Sequence, residues 1–470
     1  MPDDTFHLTS TIAASAEELR AWHFRQGAFN RLNPPWEKAQ VIESFRELED
    51  GARAVIDVGS GPMKQRWIAE HELIESGFID RQVSGPFASW EHRHLFEDLS
   101  ENTSKLTDSI HYRLPMGVPG RLLGNPVVVP KLRRMFRYRH AVTKSDLERR
   151  IASPPPRALS VLITGATGLI GQALTGYLQT QGHTVHTVTR TPKHEGEIRW
   201  NPEAGEIDWP SDLQVDGVVH LAGENVGERR WTAPTKHQIL ESRRLGTRLI
   251  SGTIAKLPNP PAVLVSASGS GFYPHDGSEH DESSPVGNHF LADVCKIWEA
   301  ETKEAEAAGI RVVHPRIGAV LTPAGGMLKK LTPLFLAGLG GPIGSGRQQL
   351  SWISIDDVID ILHRALFEEE WCGPLNVTAP EIVTNREFTR TLASMLRRPA
   401  LLPVPAGALK LALGEMADET ILADIAAIPK KLQSLGYQFR HPDLISALSH
   451  VLGKDIPRPG DLFSGALDKT

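Results

Sequence analysis

Cysteine is almost missing from this chain: Cys295 and Cys372 stand far apart, with no C-x-x-C pair and no histidine companions. Neither a disulfide framework nor a cysteine-based zinc site is indicated. Long apolar runs are missing too, and the opening Met1-Pro2-Asp3-Asp4 has no basic segment leading into an apolar one. That pattern reads as a cytoplasmic protein without a membrane span, which would need about 20 apolar residues. Positive charge is not in excess, and the net charge of -5 gives no reason to expect nucleic acid as a partner. No internal repeat or low-complexity tract is present.

What is present is enough chain for more than one hydrophobic core, since 470 residues exceed what one core usually organises. The pattern changes character at Ser153-Pro154-Pro155-Pro156, just after the charged helix end Leu147-Glu148-Arg149-Arg150. We read a first domain over 1–152, a proline-rich linker over 153–157, an α/β domain over 158–400 and a C-terminal helical cap over 401–470. The first part shows short strand-like segments such as 54–58 and 89–96 and then one helical segment, an α+β pattern. In the second part, strands near 159–164, 184–189, 217–221, 262–266 and 310–316 alternate with helices near 169–180, 235–255 and 290–308. A further helix begins at Asp357 and a further strand covers 375–377, while 403–437 reads as helix interrupted by proline. Such alternation implies a doubly wound parallel sheet of Rossmann type.

The strand Val161-Leu162-Ile163-Thr164 runs directly into Gly165-Ala166-Thr167-Gly168-Leu169-Ile170-Gly171 and then a helix. Gly165 permits the tight turn, Gly168 lets the backbone approach a pyrophosphate, and Gly171 allows close packing of the helix. The helix amide end then faces the phosphates, with Thr167, Leu169 and Ile170 around it. About 20 residues on, at the end of the next strand, stands Arg190 where NAD-binding chains place an acidic residue. A guanidinium there suits a 2′-phosphate, so the expected cofactor is NADP(H).

Residues 158–450 resemble the extended short-chain dehydrogenase/reductase superfamily, in its atypical epimerase-like branch. Besides the glycine turn, the motifs are His220-Leu221-Ala222-Gly223-Glu224, Ser242-Arg243, Thr247-Arg248, Ser266-Ala267-Ser268, Trp298-Glu299 and Pro315-Arg316-Ile317-Gly318. Gly344-Ser345-Gly346-Arg347-Gln348, Trp352-Ile353-Ser354-Ile355-Asp356-Asp357 and Asn376-Val377-Thr378-Ala379-Pro380 complete the series. Ser354 stands where the family pattern has histidine. The resemblance implies that Leu221, Ala222, Gly223, Ser266 and Arg316 join the cofactor site and that Arg347 and Trp352 meet a small-molecule substrate.

Most of that superfamily uses Tyr-x-x-x-Lys, in which the lysine charge lowers the tyrosine pKa. None of the five tyrosines here has lysine four residues later, and the resemblance, counted back from Glu299, places Leu291 and Cys295 in the two slots. Substitutes are available: Ser268 to polarise a carbonyl, Tyr273 to donate a proton and Glu224 as a base. The resemblance thus implies an epimerase-like oxidoreductase acting by hydride transfer on a sugar nucleotide or another carbinol or ketone. The alternative is a catalytically weak NADP(H)-dependent sensor or binding module. Neither reading fixes the oligomeric state.

Residues 4–150 resemble, more faintly, the START-like or polyketide-cyclase-like (SRPBCC) helix-grip superfamily, through segments 30–37, 85–90 and 106–112 and the helix ending at Arg150. That resemblance implies a cavity for an apolar ligand. In the strand at 90–96, Trp90, His92, His94 and Phe96 share one face. The two histidines could bind a metal, but no carboxylate or cysteine pattern accompanies them in the sequence. Cavity lining or packing is the reading adopted, and no metal ligand is assigned.

Overall fold

The structure is a computed structural model that describes residues 3–43, 48–59, 61 and 64–456. The chain forms two compact units, one comprising Met1–Pro156 with Gly176–Gly182, the other Arg157–Thr175 with His183–Thr470.

The first unit contains β1 (Asp4–Ile12), α1 (Ala16–Phe24), α2 (Ala28–Leu32), β2 (Ala39–Glu43), β3 (Arg53–Val58), β4 (Gln65–Ile74), β5 (Gly77–Ser84), β6 (Ser89–Ser100), β7 (Thr103–Arg113) and α3 (Gly117–Ala152). The strands form an antiparallel sheet in the order β1-β7-β6-β5-β4-β3-β2. Two helices, α1 and α2, therefore join the single long helix that the sequence pattern suggests. Alternation along β6 buries Trp90, His92, His94 and Phe96 and turns their neighbours outward. Against this face α3 buries Leu132, Phe136, Tyr138, Val142 and Leu147. The face expected to line an apolar cavity is not purely apolar: it also buries His92, His94, Asp108 and His140.

The second unit begins with β8 (Ser160–Thr164), α4 (Leu169–Thr180, of which the part up to Thr175 belongs to this unit), β9 (Thr184–Thr189), β10 (Ile198–Asn201), β11 (Glu206–Ile207), β12 (Gly217–His220), α5 (Ala233–Ala255), β13 (Val263–Ser266) and β14 (Ser268–Gly269). It continues through β15 (Glu279–His280), α6 (Phe290–Ala300), α7 (Lys303–Ala307), β16 (Arg311–Ile317), β17 (Ala319–Leu321), α8 (Gly326–Leu336), β18 (Gln349–Leu350), β19 (Trp352–Ser354), α9 (Ile355–Arg364) and β20 (Gly373–Val377). Next come β21 (Val383–Thr384), α10 (Asn385–Leu396), α11 (Ala406–Leu413), β22 (Ala426–Ala427), α12 (Lys430–Ser434) and α13 (Leu444–Leu452). The main sheet runs β11-β10-β9-β8-β12-β13-β16, with β14 continuing β13 along β16 and β20 on the other side of β16. All pairings are parallel except that of β10 with β11. Val161, Leu162, Ile163, Val218, Val219, Val263, Leu264 and Val265 have no exposed surface, as expected for parallel strands covered on both faces. The chain enters the sheet at its middle, winds out through β9 and β10, and crosses back to β12. The carboxyl ends of β8 and β12 thus flank the crevice where strand order reverses.

The helix expected near 290–308 is two helices, because the chain turns at Glu301–Thr302 and the Thr302 hydroxyl bonds the Glu299 carbonyl at 2.8 Å. The stretch 403–437 is not helix throughout, since β22 pairs in parallel with β15. The last 14 residues of the expected cap at 401–470 lie outside the described residues. Glu419, in the turn Ala417–Ile421, accepts hydrogen bonds from the backbone N–H groups of Phe290 and Leu291 at 3.1 and 2.8 Å and faces His289 Nδ1 at 3.3 Å. It thereby satisfies donors that the first turn of α6 leaves open. Among the described residues no helix is long and apolar enough to cross a membrane.

Candidate functional site

The crevice is built first from glycine geometry. Gly165 has a φ of +73°, and a Cβ there would lie 2.8 Å from Ala222 N, so β8 and β12 can end this close together only with glycine at the turn. At Gly171 a Cβ would sit 2.2 Å from Gly165 O and 2.7 Å from Ala166 Cα. Gly168 is different: an added Cβ would meet only Gly165 O, at 3.2 Å, and the residue is exposed beside exposed Thr167. The fold itself does not demand glycine at Gly168, whereas close approach of a pyrophosphate does. Leu169 and Ile170 open α4 at this point, and their amides belong to the unpaired first turn of the helix.

His220 holds the crevice floor. It is fully buried between Thr164 Oγ1 at 2.7 Å and Thr247 Oγ1 at 3.1 Å, which ties β8, β12 and α5 together. Burial, helped by the nearby Arg243 charge, lowers its pKa to about 3, so the ring is neutral. The Leu221 and Ala222 amides donate to Thr164 O and Oγ1, at 3.1 and 3.3 Å. Under Gly223 lies Arg243, whose guanidinium bonds the Glu224 and Ile239 carbonyls, each at 3.0 Å, and covers the Trp298 ring at 4.7 Å. Burial lowers Arg243 to about 10. The Ser242-Arg243 motif was visible in sequence, but its place beneath Gly223 was not. Arg190, at the end of β9, is exposed and has no carboxylate partner among the described residues.

Past the end of β13, Ser268 Oγ donates to Glu299 Oε1 at 2.8 Å. Glu299 in turn binds Arg316 Nε and Nη2 at 2.8 and 2.9 Å, and Arg316 Nη1 reaches the Tyr273 hydroxyl at 3.0 Å. Tyr273 Oη donates a hydrogen bond to Asn376 Oδ1 at 2.6 Å. Two residues expected at the site lie within this network. Tyr273 has no exposed surface, and burial pushes it up to about 12, the opposite of what a proton donor near neutrality needs. Arg316, expected at the cofactor, is 4% exposed and spends its donors on Glu299, Tyr273 and the Glu282 carbonyl.

Two further expected contacts fall in the interior: Ser266 within β13 and Trp352 within β19 have no exposed surface. Arg347 is exposed on its loop. Glu224 accepts from Arg229 Nη2 at 2.9 Å, outside the Ser268 network. Cys295 is buried, its thiol bonded to Gly269 O at 3.7 Å and its pKa raised by burial. Ser354 caps α9, accepting from Asp357 N at 3.0 Å, a backbone role in place of the family's histidine.

Residues 161–374 match the model of the NAD dependent epimerase/dehydratase family, and residues 404–451 match a domain of unknown function, DUF1731. The chain is 42% identical over 302 residues to epimerase family protein Mb2239 of Mycobacterium bovis, covering 64% of this chain and 98% of that protein. A nucleoside-diphosphate sugar epimerase from Corynebacterium glutamicum is similar in structure at 33% identity, with a TM-score of 0.79 over 96% of this chain and 91% of that one. The human epimerase family protein SDR39U1, solved with NADPH, is 37% identical with a TM-score of 0.59, over 62% of this chain and 98% of its own.

Proposed function

Because the chain belongs to the NAD dependent epimerase/dehydratase family, we propose that its second unit binds NADP(H) in the β8–β12 crevice and catalyses redox chemistry on a small carbinol or ketone. The exposed Gly168, which packing does not require to be glycine, between Gly165 and Gly171, which it does, is the observation that carries this reading. Gly165, Thr167, Gly168, Leu169, Ile170 and Gly171 would hold the pyrophosphate, Leu221, Ala222 and Gly223 the opposite wall, and Arg190 the 2′-phosphate. When bound, the cofactor supplies a hydride donor or acceptor. The C. glutamicum relative makes a nucleoside-diphosphate sugar the first substrate class to test, with exposed Arg347 as a contact for its phosphates.

Proton handling we assign to Ser268 and Glu299 in place of a tyrosine–lysine pair. Ser268 Oγ meets the substrate oxygen, and Glu299 accepts the proton that a carbinol gives up through that hydroxyl. Tyr273 and Asn376 act at one remove by fixing Arg316, while Glu224 stays paired with Arg229 at the loop after β12. Ser268→Ala should lower kcat by about 100-fold, the lower end of what a positioned acid or base contributes, and leave NADPH affinity unchanged. Turnover within twofold of wild type would remove Ser268 from the mechanism.

Arg190→Ala should weaken NADPH binding by roughly 10–100-fold, the worth of a charge-assisted hydrogen bond, and leave NADH binding as it was. Isothermal titration with both nucleotides reads this directly, and equal affinities in wild type would exclude the assignment. For the first unit we propose the START-like (SRPBCC) helix-grip fold, on the strength of its seven-stranded antiparallel sheet and terminal helix α3.

A further inference from the structure

Under α3, and with no part in the crevice chemistry, five ionisable side chains converge in the first unit, four of them buried. Strand register brings them together: β5 sets Asp80 opposite His92, and β7 sets Asp108 opposite His94. Carboxylates thus do accompany the two histidines, but they arrive across the sheet, 14 and 16 residues away along the chain. We propose that Asp80, His92 and His94 bind one divalent first-row transition-metal ion.

The donor set is that of a two-histidine, one-carboxylate site, with room left in the coordination sphere for water or a ligand. One donor atom from each of the three residues lies within 4.8 Å of the others. Asp80 Oδ2 stands 3.0 Å from His92 Nδ1 and 3.3 Å from His94 Nε2. Ligands about 2.0–2.2 Å from a shared ion have neighbours at about this spacing.

The far edge of each ligand is also held. Trp90 Nε1 donates to Asp80 Oδ1 at 3.2 Å, leaving Oδ2 for the ion. Asp108 Oδ1 lies 2.7 Å from His92 Nε2 and 2.8 Å from His94 Nδ1, so one carboxylate faces the outer nitrogen of both imidazoles. Asp108 Oδ2 meets His140 Nε2 at 2.6 Å, and His140 Nδ1 meets Ser10 Oγ at 2.8 Å. The Asp108 carboxylate behind His92 fixes that ring's tautomer and orientation, as outer groups do in metal sites. His94 is 7% exposed, and its Nδ1 lies close to Asp108 Oδ1 without a hydrogen bond. Phe78 stacks on His94 at 4.1 Å and Phe136 stands edge-on to His92 at 5.1 Å, so the walls are dry.

Asp108 is buried and Asp80 half-buried, and Arg139 on α3 offers one compensating charge. The metal ion would supply the rest.

Chelator-treated full-length protein should take up one equivalent of Co2+ with visible d–d absorption, displaced by Zn2+. His94→Gln and Asp80→Asn should abolish that uptake, and Asp108→Asn should weaken it about 10–100-fold. His450→Gln, which alters the separate Asp356, His441 and His450 group, should leave it intact. Uptake by wild type no greater than by His94→Gln would overturn the site and leave a proton-balanced ion network. Should those variants fail to fold, copper–ascorbate oxidation of wild type with peptide mass spectrometry replaces them. Oxidation at His92 and His94 supports the assignment, and oxidation confined to His441 and His450 overturns it.

Discussion

Gly171→Ala will cost on the order of 100-fold in NADPH affinity, because the turn it sits on must move by a distance comparable to the ~1 Å that matters in a positioned site. A new Cβ would lie 2.2 Å from Gly165 O and 2.7 Å from Ala166 Cα, and both obstacles are backbone. No rotamer change relieves such a clash. Either α4 tilts away or Gly165 leaves its position against Ala222, and each displaces the amides that would meet phosphate. The same overpacking should destabilise the fold by about 1–3 kcal/mol. Gly168→Ala is the informative control, since its Cβ meets only one atom, at 3.2 Å, and its φ is not left-handed. It should keep stability within ~1 kcal/mol and still lose at least about 10-fold in affinity, because a methyl would stand where the pyrophosphate must approach. Titration of NADPH into both variants, alongside thermal melts, separates the two effects. Wild-type affinity in Gly168→Ala would show that the backbone there does not face the cofactor.

Glu299→Ala carries the second large effect, in stability. Arg316 is 4% exposed and its guanidinium is held at two nitrogens by that one carboxylate. Removing the partner leaves a buried cation over the Phe272 ring, 3.5 Å from its centroid, with the Tyr273 hydroxyl and the Glu282 carbonyl as its remaining hydrogen-bond partners among the described residues. Breaking a buried pair on one side typically costs about 3–5 kcal/mol. The double variant Glu299→Leu with Arg316→Met should recover most of the loss, because no unpaired charge then remains. Urea denaturation reads both, and a loss below ~1 kcal/mol in the single variant would mean that solvent already reaches the pair. Activity should fall in both variants, which dissociates the proton role of Glu299 from its structural one.

The second unit was largely legible in the sequence, and the reason is physical. Parallel strands buried on both faces are written as short unbroken apolar runs such as Val161-Leu162-Ile163, and the glycine turn fixes where the first of them meets its helix. The roles of individual polar residues were harder to read. Arg316 follows the same strand-end pattern as a ligand contact, yet its partner is Glu299, 17 residues earlier on α6. Tyr273 is one of five tyrosines, and only the fold shows that Asn376 and Arg316 close over its hydroxyl. In the first unit, alternation along β6 did put His92 and His94 on one face. It could not reveal Asp80 and Asp108, because cross-strand neighbours depend on hairpin register, which loop lengths and bulges set and side-chain pattern alone does not.

Glu419 has a bearing on the order in which the protein can be made. The carboxylate that closes the start of α6 lies 128 to 130 residues further along the chain than the groups it binds. During synthesis the earlier elements can collapse as they emerge, but α6, which carries Glu299, keeps open donors in its first turn until the DUF1731 segment has left the ribosome. The crevice floor can therefore form early, whereas the helix that supports the reacting end is completed only with the final stretch of chain.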